Sequence, residues 1–412
     1  MTPADRIAEL VLVTPDGAVV GRLAPLPVAT PWWQEVEPVV RAARERHGAE
    51  ITVLRMLGAE RNEPPGGRVT YLAEIAQPMP AEPWSGALDD QPRRLSYAKP
   101  GGPAADLAWA RSVLTGLGQG LADDPVQVRS WNLSSLWRIP VRGGAVWLKA
   151  VPGFFAHEGP LLARLAGEPV PTLLGCDGGR SLLAEVPGDD LYDADPQQLL
   201  QMVTLLLGLQ RRWLGRAEEL LALGLPDWRA PALTALIADV FERTAGELSG
   251  DDRAVLAGFV RGLPDRFDRV AGCGIGDSLV HGDFHPGNFR GGAGALTLID
   301  WGDSGIGHPL LDQPAFLSRV PEGFVAAIRE LWARQWREAV PGSKPERAES
   351  LLSPVAAARQ AAIYQGFLDR IEPAEHPYHR LDPARWLRRA AVLLRTEAQM
   401  SGPGEPGAAC QR

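Results

Sequence analysis

The stretch His281-Gly282-Asp283-Phe284-His285-Pro286-Gly287-Asn288 is followed, after a glycine-containing turn, by Leu296-Thr297-Leu298-Ile299-Asp300-Trp301. Glycines at positions 287, 291 and 292 mark turns, and the apolar run 295–299 has the composition of a short strand. Asp300 ends that strand. A loop and a hairpin therefore carry two carboxylates and one carboxamide, and hard oxygen donors of this kind indicate magnesium.

These three side chains fit the chemistry of phosphoryl transfer from a nucleotide. Mg²⁺ usually takes one or two protein carboxylates together with phosphate oxygens and water. We expect Asp300 to be the main metal ligand and Asn288 the second, while Asp283 accepts or orients the proton of the attacking hydroxyl. A protein kinase has the same parts in the same order, and its Asp-to-Asn spacing equals that from Asp283 to Asn288.

At these residues the chain resembles the aminoglycoside phosphotransferase and choline kinase-like family, whose active-site loop reads H-G-D-x-H-x-x-N followed by I-D-[FW]. The loop matches in full. The resemblance implies an α+β, two-lobed protein-kinase-like fold with a small β-rich nucleotide lobe and a large helical lobe. It also implies a kinase that uses ATP and Mg²⁺ on a small-molecule hydroxyl, with Asp283 as base and Asn288 and Asp300 as metal ligands. The run 307–312 is similar to the family's continuation into a helix with a structural acid.

Simpler interpretations apply to parts of this stretch. Asp, Asn and Gly all favour turns, which explains each residue singly but not the ordered set. His285 and His308 fit ordinary buried or loop histidines better than residues with a direct chemical role.

The bulk composition narrows the class of protein. A length of 412 residues predicts about two to three domains, and 45% apolar content supports packed cores. The net charge of −8 argues against a nucleic-acid or anionic-membrane partner. Cysteines occur only at positions 176, 273 and 410, which fits a reducing compartment. With no leader-like start and no long apolar stretch, we expect a soluble cytoplasmic protein. The oligomeric state stays open.

Five segments are expected along the chain. They are an N-terminal α+β domain (1–80), a linker rich in Pro, Gly and charge (81–103), a small nucleotide-binding lobe with a leading helix (104–188), a helical catalytic and substrate lobe (189–400) and a flexible tail (401–412). The family resemblance covers roughly residues 125–400.

The N-terminal segment reads as a hairpin, a helix and two strands. Thr14-Pro15-Asp16-Gly17 is a strong turn signal, and Gly48 is a plausible end of the helix. This order faintly resembles a Nudix domain. The metal-binding helix R-E-x-x-E-E-x-G of that domain is represented only by Arg44-Glu45-Arg46-His47-Gly48, which lacks the acidic pair. A regulatory, dimerising or structural role is therefore the better expectation for this segment.

Lys149 and Glu158 are candidates for the phosphate side of the site. Lysine occurs only at positions 99, 149 and 344, and Lys149 ends an apolar strand from which its ammonium can pair with phosphates. Glu158 opens the following helix and is the natural partner of this lysine in the kinase arrangement. The alternatives are a surface lysine whose stem covers apolar neighbours and a glutamate that suits a helix N-terminus.

The sequence contains no G-x-G-x-x-G motif that would mark a phosphate-binding loop. The remaining nucleotide contacts are therefore predicted from the family resemblance alone. It implies that Ser134 and Ser135 contact phosphates and that the hinge backbone at Ala184 and Val186 reads the adenine. An ordinary polar hairpin turn and a plain strand explain the same residues.

The later part of the chain has apolar residues at helical spacing. Helices are predicted over residues 197–213, 231–248, 253–270, 321–340, 345–369 and 383–400. Their Trp and Leu stripes indicate a packed core.

The sequence says least about the acceptor substrate. By resemblance it is an aminoglycoside, amino sugar, amino alcohol or similar small molecule, and Asp189, Asp190, Glu372 and Glu375 either attract a cationic acceptor or are solvated surface charge. Protein substrates are disfavoured because no A-P-E-type segment follows Asp300. Two alternatives remain, a nucleotide-binding pseudokinase or sensor whose N-terminal domain carries the function, and a Nudix-like hydrolase.

Overall fold

The computed structural model of the chain describes residues 5–292 and 294–400. The strands are β1 (Arg6–Val13), β2 (Val19–Arg22), β3 (Leu26–Val28), β4 (Ile51–Ala59), β5 (Gly67–Ile75), β6 (Val126–Trp131), β7 (Ser134–Val141), β8 (Gly144–Ala150), β9 (Leu173–Asp177), β10 (Arg180–Ala184), β11 (Asp189–Asp190), β12 (Ser278–Val280), β13 (Phe289–Gly292), β14 (Ala295–Leu298) and β15 (Gly305–Gly307). The helices are α1 (Glu37–His47), α2 (Gly102–Gly116), α3 (Glu158–Arg164), α4 (Pro196–Arg212), α5 (Ala217–Ala222), α6 (Ala230–Thr244), α7 (Gly250–Arg261), α8 (Leu263–Ala271), α9 (Gln313–Leu317), α10 (Glu322–Ala339), α11 (Pro345–Leu368) and α12 (Asp382–Met400). The predicted flexible tail, 401–412, lies outside the described residues.

The chain forms two compact units. The first contains the described residues of Met1–Asp190, Arg290–Gly302 and Phe367–Leu381, and the second contains those of Leu191–Phe289, Asp303–Gly366 and Asp382–Arg412. The first unit holds most of the strands and the second most of the helices. The predicted α+β class is confirmed.

The N-terminal sheet of the first unit has the strand order β2-β1-β5-β4, with β3 also paired to β1. Strands β1 and β5 are parallel, and the other pairs are antiparallel. Helix α1 buries Val39 and Ala43, and Gly48 ends it at a φ of 62°, as the glycine signal predicts. The residues of the degenerate metal-helix pattern lie on the surface, where Arg44 pairs with Glu50 at 2.6 Å.

A second, antiparallel sheet in the same unit has the order β6-β7-β8-β10-β9. Helix α2 packs on it through Ala110 and Leu114, which join Trp137, Leu148 and Leu182 in one core. This sheet carries the predicted nucleotide-binding strands. A short sheet, β11-β13-β14, completes the unit.

The N-terminal sheet packs tightly against the rest of the first unit. The Gln127 side chain accepts from Val53 N at 2.8 Å and donates to Val53 O at 2.7 Å. The segment 367–381 adds further contacts, because Glu375 Oε1 accepts from Met56 N at 3.0 Å. The Tyr378 ring centroid lies 5.5 Å from that of Trp33. The assignment of residues 1–80 as a domain stays a prediction.

Glu372 and Glu375 are buried, so the interpretation of them as solvated surface charge is wrong. Their attraction of a cationic acceptor stays a prediction. Their exposed fractions are 6% and 2%. Glu372 contacts Arg94 at 2.9 Å and Arg55 at 3.8 Å. The sequence pattern could not show this, because it does not reveal that these residues pack inside the sheet-rich unit.

The second unit is mainly helical, with one small sheet of β12 and β15. Its core includes the rings of Phe284, Phe316 and Trp332. The single helix predicted over 253–270 is wrong, since α7 and α8 are separate. Pro264 explains the break, because it has no N–H to donate to the Val260 carbonyl and its ring would clash with that carbonyl in a continuous helix. Within residues 5–292 and 294–400, no helix is long and apolar enough to cross a membrane.

We predict that Glu375 makes stability depend on pH. Burial raises the pKa of Glu375 to about 7. Because this folded-state pKa exceeds the unfolded one, its contribution is full below the unfolded pKa and is lost as the pH rises towards 7. Relative to wild type, Glu375→Gln should gain about 2 kcal/mol of unfolding free energy between pH 5 and pH 8. Urea titrations across this range measure it. The exposed Glu45→Gln is the control, and parallel curves for wild type and Glu375→Gln would refute the prediction.

Candidate active site

The loop 281–288 follows β12 in the second unit and is held by the carboxylate of Asp312. The backbone N–H groups of His281 and Gly282 donate to it at 2.9 and 2.8 Å, and Gln210 Nε2 donates at 2.9 Å. Burial raises the pKa of Asp312 to about 6, while these hydrogen bonds act to lower it. Asp312 is the acid for which the resemblance implies a structural role.

Gly282 adopts a backbone conformation that suits only glycine here. Its φ is 91°, in the region that side chains disfavour. A Cβ at this position would lie 1.8 Å from the carbonyl oxygen of Asp303. The loop therefore reaches Asp283 through a turn that no other residue can make without moving the backbone.

Asp283 and Asn288 contact each other in this loop. Asn288 Nδ2 donates to the Asp283 carbonyl at 2.7 Å and to Asp283 Oδ2 at 3.2 Å. The amide nitrogen is thus used within the loop, which leaves the amide oxygen as the group able to bind a cation. The Asp283 side chain is 42% exposed, so its carboxylate is accessible to solvent.

His285 also contacts Asp283, a contact that the sequence did not indicate. Its Nδ1 accepts from Gly287 N at 3.0 Å, so a neutral ring carries its proton on Nε2. Nε2 lies 3.3 Å from Asp283 Oδ2. His308 is a buried histidine in a structural position, because its Nδ1 accepts from Leu310 N at 3.2 Å and burial lowers its pKa to about 3.

In the first unit, Lys149 lies between two carboxylates. Its Nζ is 2.8 Å from Glu158 Oε1 and 2.7 Å from Asp300 Oδ1. Glu158 Oε1 also accepts from Trp301 N at 3.0 Å. Burial acts to lower the pKa of Lys149, but the two carboxylates outweigh it and raise that pKa above its ordinary value. The structure thus brings together the predicted lysine, its predicted partner and the predicted metal ligand.

Asp300 has an unusual backbone. Within residues 5–292 and 294–400 it is the only non-glycine residue with a positive φ, at 63°. Aspartate tolerates this conformation better than most residues, at some cost in free energy. Its side chain is 47% exposed. A strained, exposed acid of this kind supports a hypothesis of function.

Ser134 and Ser135 lie at the start of β7, with both hydroxyl groups engaged. Ser134 Oγ accepts from Trp131 Nε1 at 3.0 Å, and Ser135 Oγ accepts from Trp137 Nε1 at 3.1 Å. Both side chains are buried. Their role as phosphate contacts stays a prediction.

The predicted hinge is held by Arg290, a residue that sequence reasoning missed. Ala184 pairs with Val146 in the sheet, and its N–H donates to Thr172 O at 2.9 Å. Arg290 Nε donates to Val186 O at 3.3 Å, and its Nη1 contacts Asp190 Oδ1 at 2.7 Å. Asp190 is therefore paired within the first unit. The available signal was an arginine just after the loop, at the point where the chain returns to a strand.

The fold, together with the family that the chain matches, identifies a small-molecule kinase with a protein-kinase-like fold. A family model described as the phosphotransferase enzyme family matches residues 113–351, more than half of the chain. The chain belongs to this family. No curated protein sequence matches it significantly.

Two solved structures show the same fold. One, from Ralstonia eutropha JMP134, is assigned to the aminoglycoside phosphotransferases; it is 17% identical, covers 72% of this chain and 98% of its own, and has a TM-score of 0.50. The other is choline kinase from Cryptosporidium parvum Iowa II; it is 9% identical, covers 72% and 96%, and has a TM-score of 0.51. At these identities the likeness concerns the fold, and it confirms the predicted kinase-like architecture.

We predict that Gly282→Ala disrupts the loop. The new Cβ meets a backbone oxygen and needs a disfavoured φ, so we expect a loss of about 3 kcal/mol or more in unfolding free energy. Denaturant unfolding measures this. Gly276→Ala, in the same unit, is the control, because its Cβ would meet no atom within 4 Å. Equal stability of the two variants would contradict the conformational requirement at position 282.

Proposed function

We propose that this kinase transfers the γ-phosphoryl group of ATP, with Mg²⁺, to a hydroxyl of a small molecule such as an aminoglycoside, amino sugar or amino alcohol. The observation that carries the proposal is the anchored loop, in which Asp283 is exposed, contacted by Asn288 and His285, and fixed through Gly282 and Asp312. Family membership supports the reaction class.

Asp283 is proposed as the base. Its carboxylate takes the proton of the acceptor hydroxyl as the oxygen attacks the γ-phosphorus, and the bond from phosphorus to the bridging oxygen of ADP breaks. The products are a phosphate ester and ADP. The contacts from Asn288 and His285 orient the carboxylate, which matters because catalysis of this kind is mainly positioning and charge stabilisation.

Asn288 and Asp300 are the proposed Mg²⁺ ligands, and their donor chemistry fits this ion. The Asn288 amide presents its oxygen because its nitrogen bonds to Asp283, and Asp300 presents an exposed carboxylate. When bound, the ion neutralises charge on the phosphate oxygens, which together with water supply its other ligands.

Lys149 is the proposed phosphate contact. Glu158 holds its ammonium, and a nucleotide phosphate would compete with Asp300 for the same group. Ser134 and Ser135 are proposed as phosphate contacts through their backbone N–H groups. The backbone at Ala184 and Val186 is proposed to read the adenine. The position of Val186 is supported by its bond from Arg290.

We predict that Asp283→Ala lowers kcat by several orders of magnitude and leaves the Kd for ATP within about threefold, because the base acts on the acceptor. ADP release is measured with aminoglycosides, amino sugars, choline-like amines and hydroxy amino acids. Exposed Asp265→Ala is the control. Equal turnover by Asp283→Ala would remove the assignment of the base, and no stimulation of wild type by any acceptor would count against this substrate class.

We predict that Lys149→Met raises the Kd for ATP–Mg²⁺ by about 10- to 100-fold, since a charge-assisted contact to phosphate is lost. Isothermal titration calorimetry measures it, with exposed Lys344→Met as the matched control. A thermal melt shows whether the variant is folded. Unchanged affinity in a folded Lys149→Met protein would place the lysine outside the nucleotide site.

A further inference from the structure

Arg359 of α11 is a buried cation directly behind the active-site loop. Its side chain is 3% exposed, and its Nη2 donates to the carbonyl oxygen of Gly282 at 2.8 Å. Its guanidinium carbon lies 4.3 Å from the ring centroid of Trp228. Its Nε and Nη1 atoms are buried and find no hydrogen-bond partner among the described residues.

The hydrogen bond from Arg359 is the second of two side-chain hydrogen bonds that hold the Gly282 backbone. The N–H of Gly282 belongs to the peptide plane before it and donates to Asp312. Its carbonyl belongs to the next plane, which carries the backbone nitrogen of Asp283, and accepts from Arg359. Glycine has no side chain to restrict the torsion between these planes. The side chains of Asp312 and Arg359 therefore restrict the backbone torsions of Gly282, as a Cβ does at other residues.

The stacking on Trp228 sets the orientation of the guanidinium. A Cβ at Gly305 would lie 2.6 Å from the Trp228 ring, so β15 packs directly against the indole. The Arg359 guanidinium also lies over the Trp228 ring. A planar cation on an aromatic face is favourable, and its plane fixes the direction of its N–H groups. Lysine at this position could not reproduce that geometry.

Fold stability alone does not explain a charge at this position. Burying a cation with two unpaired nitrogen groups is unfavourable, and its contacts with the loop must offset that cost. Burial acts to lower the pKa of Arg359, while the carboxylates of Asp312, Asp303 and Asp283 favour its charged form. The positive charge of the Arg359 guanidinium therefore offsets the negative charges of these carboxylates next to the loop.

We propose that Arg359 is a positioning residue for phosphoryl transfer: by holding the Gly282 carbonyl, it fixes the point from which the Asp283 carboxylate projects. The kinetic part of this inference rests on the proposed function. The anchoring of the loop does not, and it can be measured without an acceptor.

The test uses the full chain with Arg359→Met, Arg359→Lys and a matched control. Arg266→Met is the control, because Arg266 is also buried in the second unit, donates to a backbone carbonyl, that of Leu351, at 2.7 Å, and lies 5.5 Å from the ring centroid of Phe259. Three quantities are measured: the melting temperature, amide hydrogen exchange of peptides covering 278–290, and kcat with the Kd for ATP.

For Arg359→Met we expect a cooperative thermal unfolding transition, which shows that the variant is folded, and exchange at least tenfold faster in the loop peptide alone. We expect kcat to fall about 100-fold, since displacements near 1 Å can have such an effect, with the Kd for ATP within threefold. Arg359→Lys should recover part of the loss. Arg266→Met should leave loop exchange and kcat unchanged.

The inference is overturned if folded Arg359→Met keeps wild-type loop exchange, or if it keeps wild-type kcat. It is also overturned if exchange rises throughout the second unit in both Arg359 variants, which would show a merely structural role. If Arg359→Met does not fold, Arg359→Lys decides by the same criteria. Should wild type turn over no acceptor, the proposed function fails, while loop exchange still decides whether Arg359 anchors the loop.

Discussion

The active-site loop depends on one buried carboxylate. Asp312 receives backbone N–H groups from His281 and Gly282 and a side-chain donor from Gln210. Backbone donors that face inward from a tight turn need acceptors, because unpaired buried polar groups are costly. Asp312 provides both oxygens at once and so permits the turn at Gly282. The exposed face of the loop is then free to present Asp283.

The second electrostatic element lies in the first unit, around Lys149. Two carboxylates within hydrogen-bond distance of one ammonium leave a net negative charge, and burial makes each charge unfavourable unless it is paired. Glu158 is the fixed partner, since it also receives Trp301 N. Asp300 is the exposed partner, in a strained backbone conformation. A bound polyanion can therefore exchange with Asp300 while the pair of Lys149 and Glu158 stays intact.

Local patterns in the sequence were enough to single out Asp283, Asn288, Asp300 and Lys149 as candidates, because phosphoryl transfer needs given residue types at given spacings. The structure places Lys149 against Asp300 and Asn288 against Asp283, and their catalytic roles stay predictions. The α7–α8 break was readable from Pro264 and was missed. Arg359 and the burial of Glu375 could not be predicted, because each depends on a partner far along the chain. For Arg290 the only signal was its position just after the loop. The hydrogen bond from Arg359 to Gly282 joins residues 77 positions apart, and no periodicity in α11 marks it.

The N-terminal sheet has a physical consequence for the hairpin of β6 and β7. Ser130 Oγ donates to Leu54 O at 3.1 Å, and Asn132 Oδ1 lies 2.9 Å from His379 Nε2. The Trp131 ring contacts Tyr378, which in turn contacts Trp33. The hairpin that carries Ser134 and Ser135 is thus packed on both the N-terminal sheet and the segment 367–381.

The N-terminal sheet therefore holds the hairpin of β6 and β7 in place within the first unit. Tryptophan indoles hold both serine hydroxyls at the turn of this hairpin. The aromatic contacts continue from His379 through Phe367 to Phe155, which lies against Gly302, two residues after Asp300. The free energy that holds the hairpin in one conformation therefore comes from burial against the N-terminal sheet and the segment 367–381.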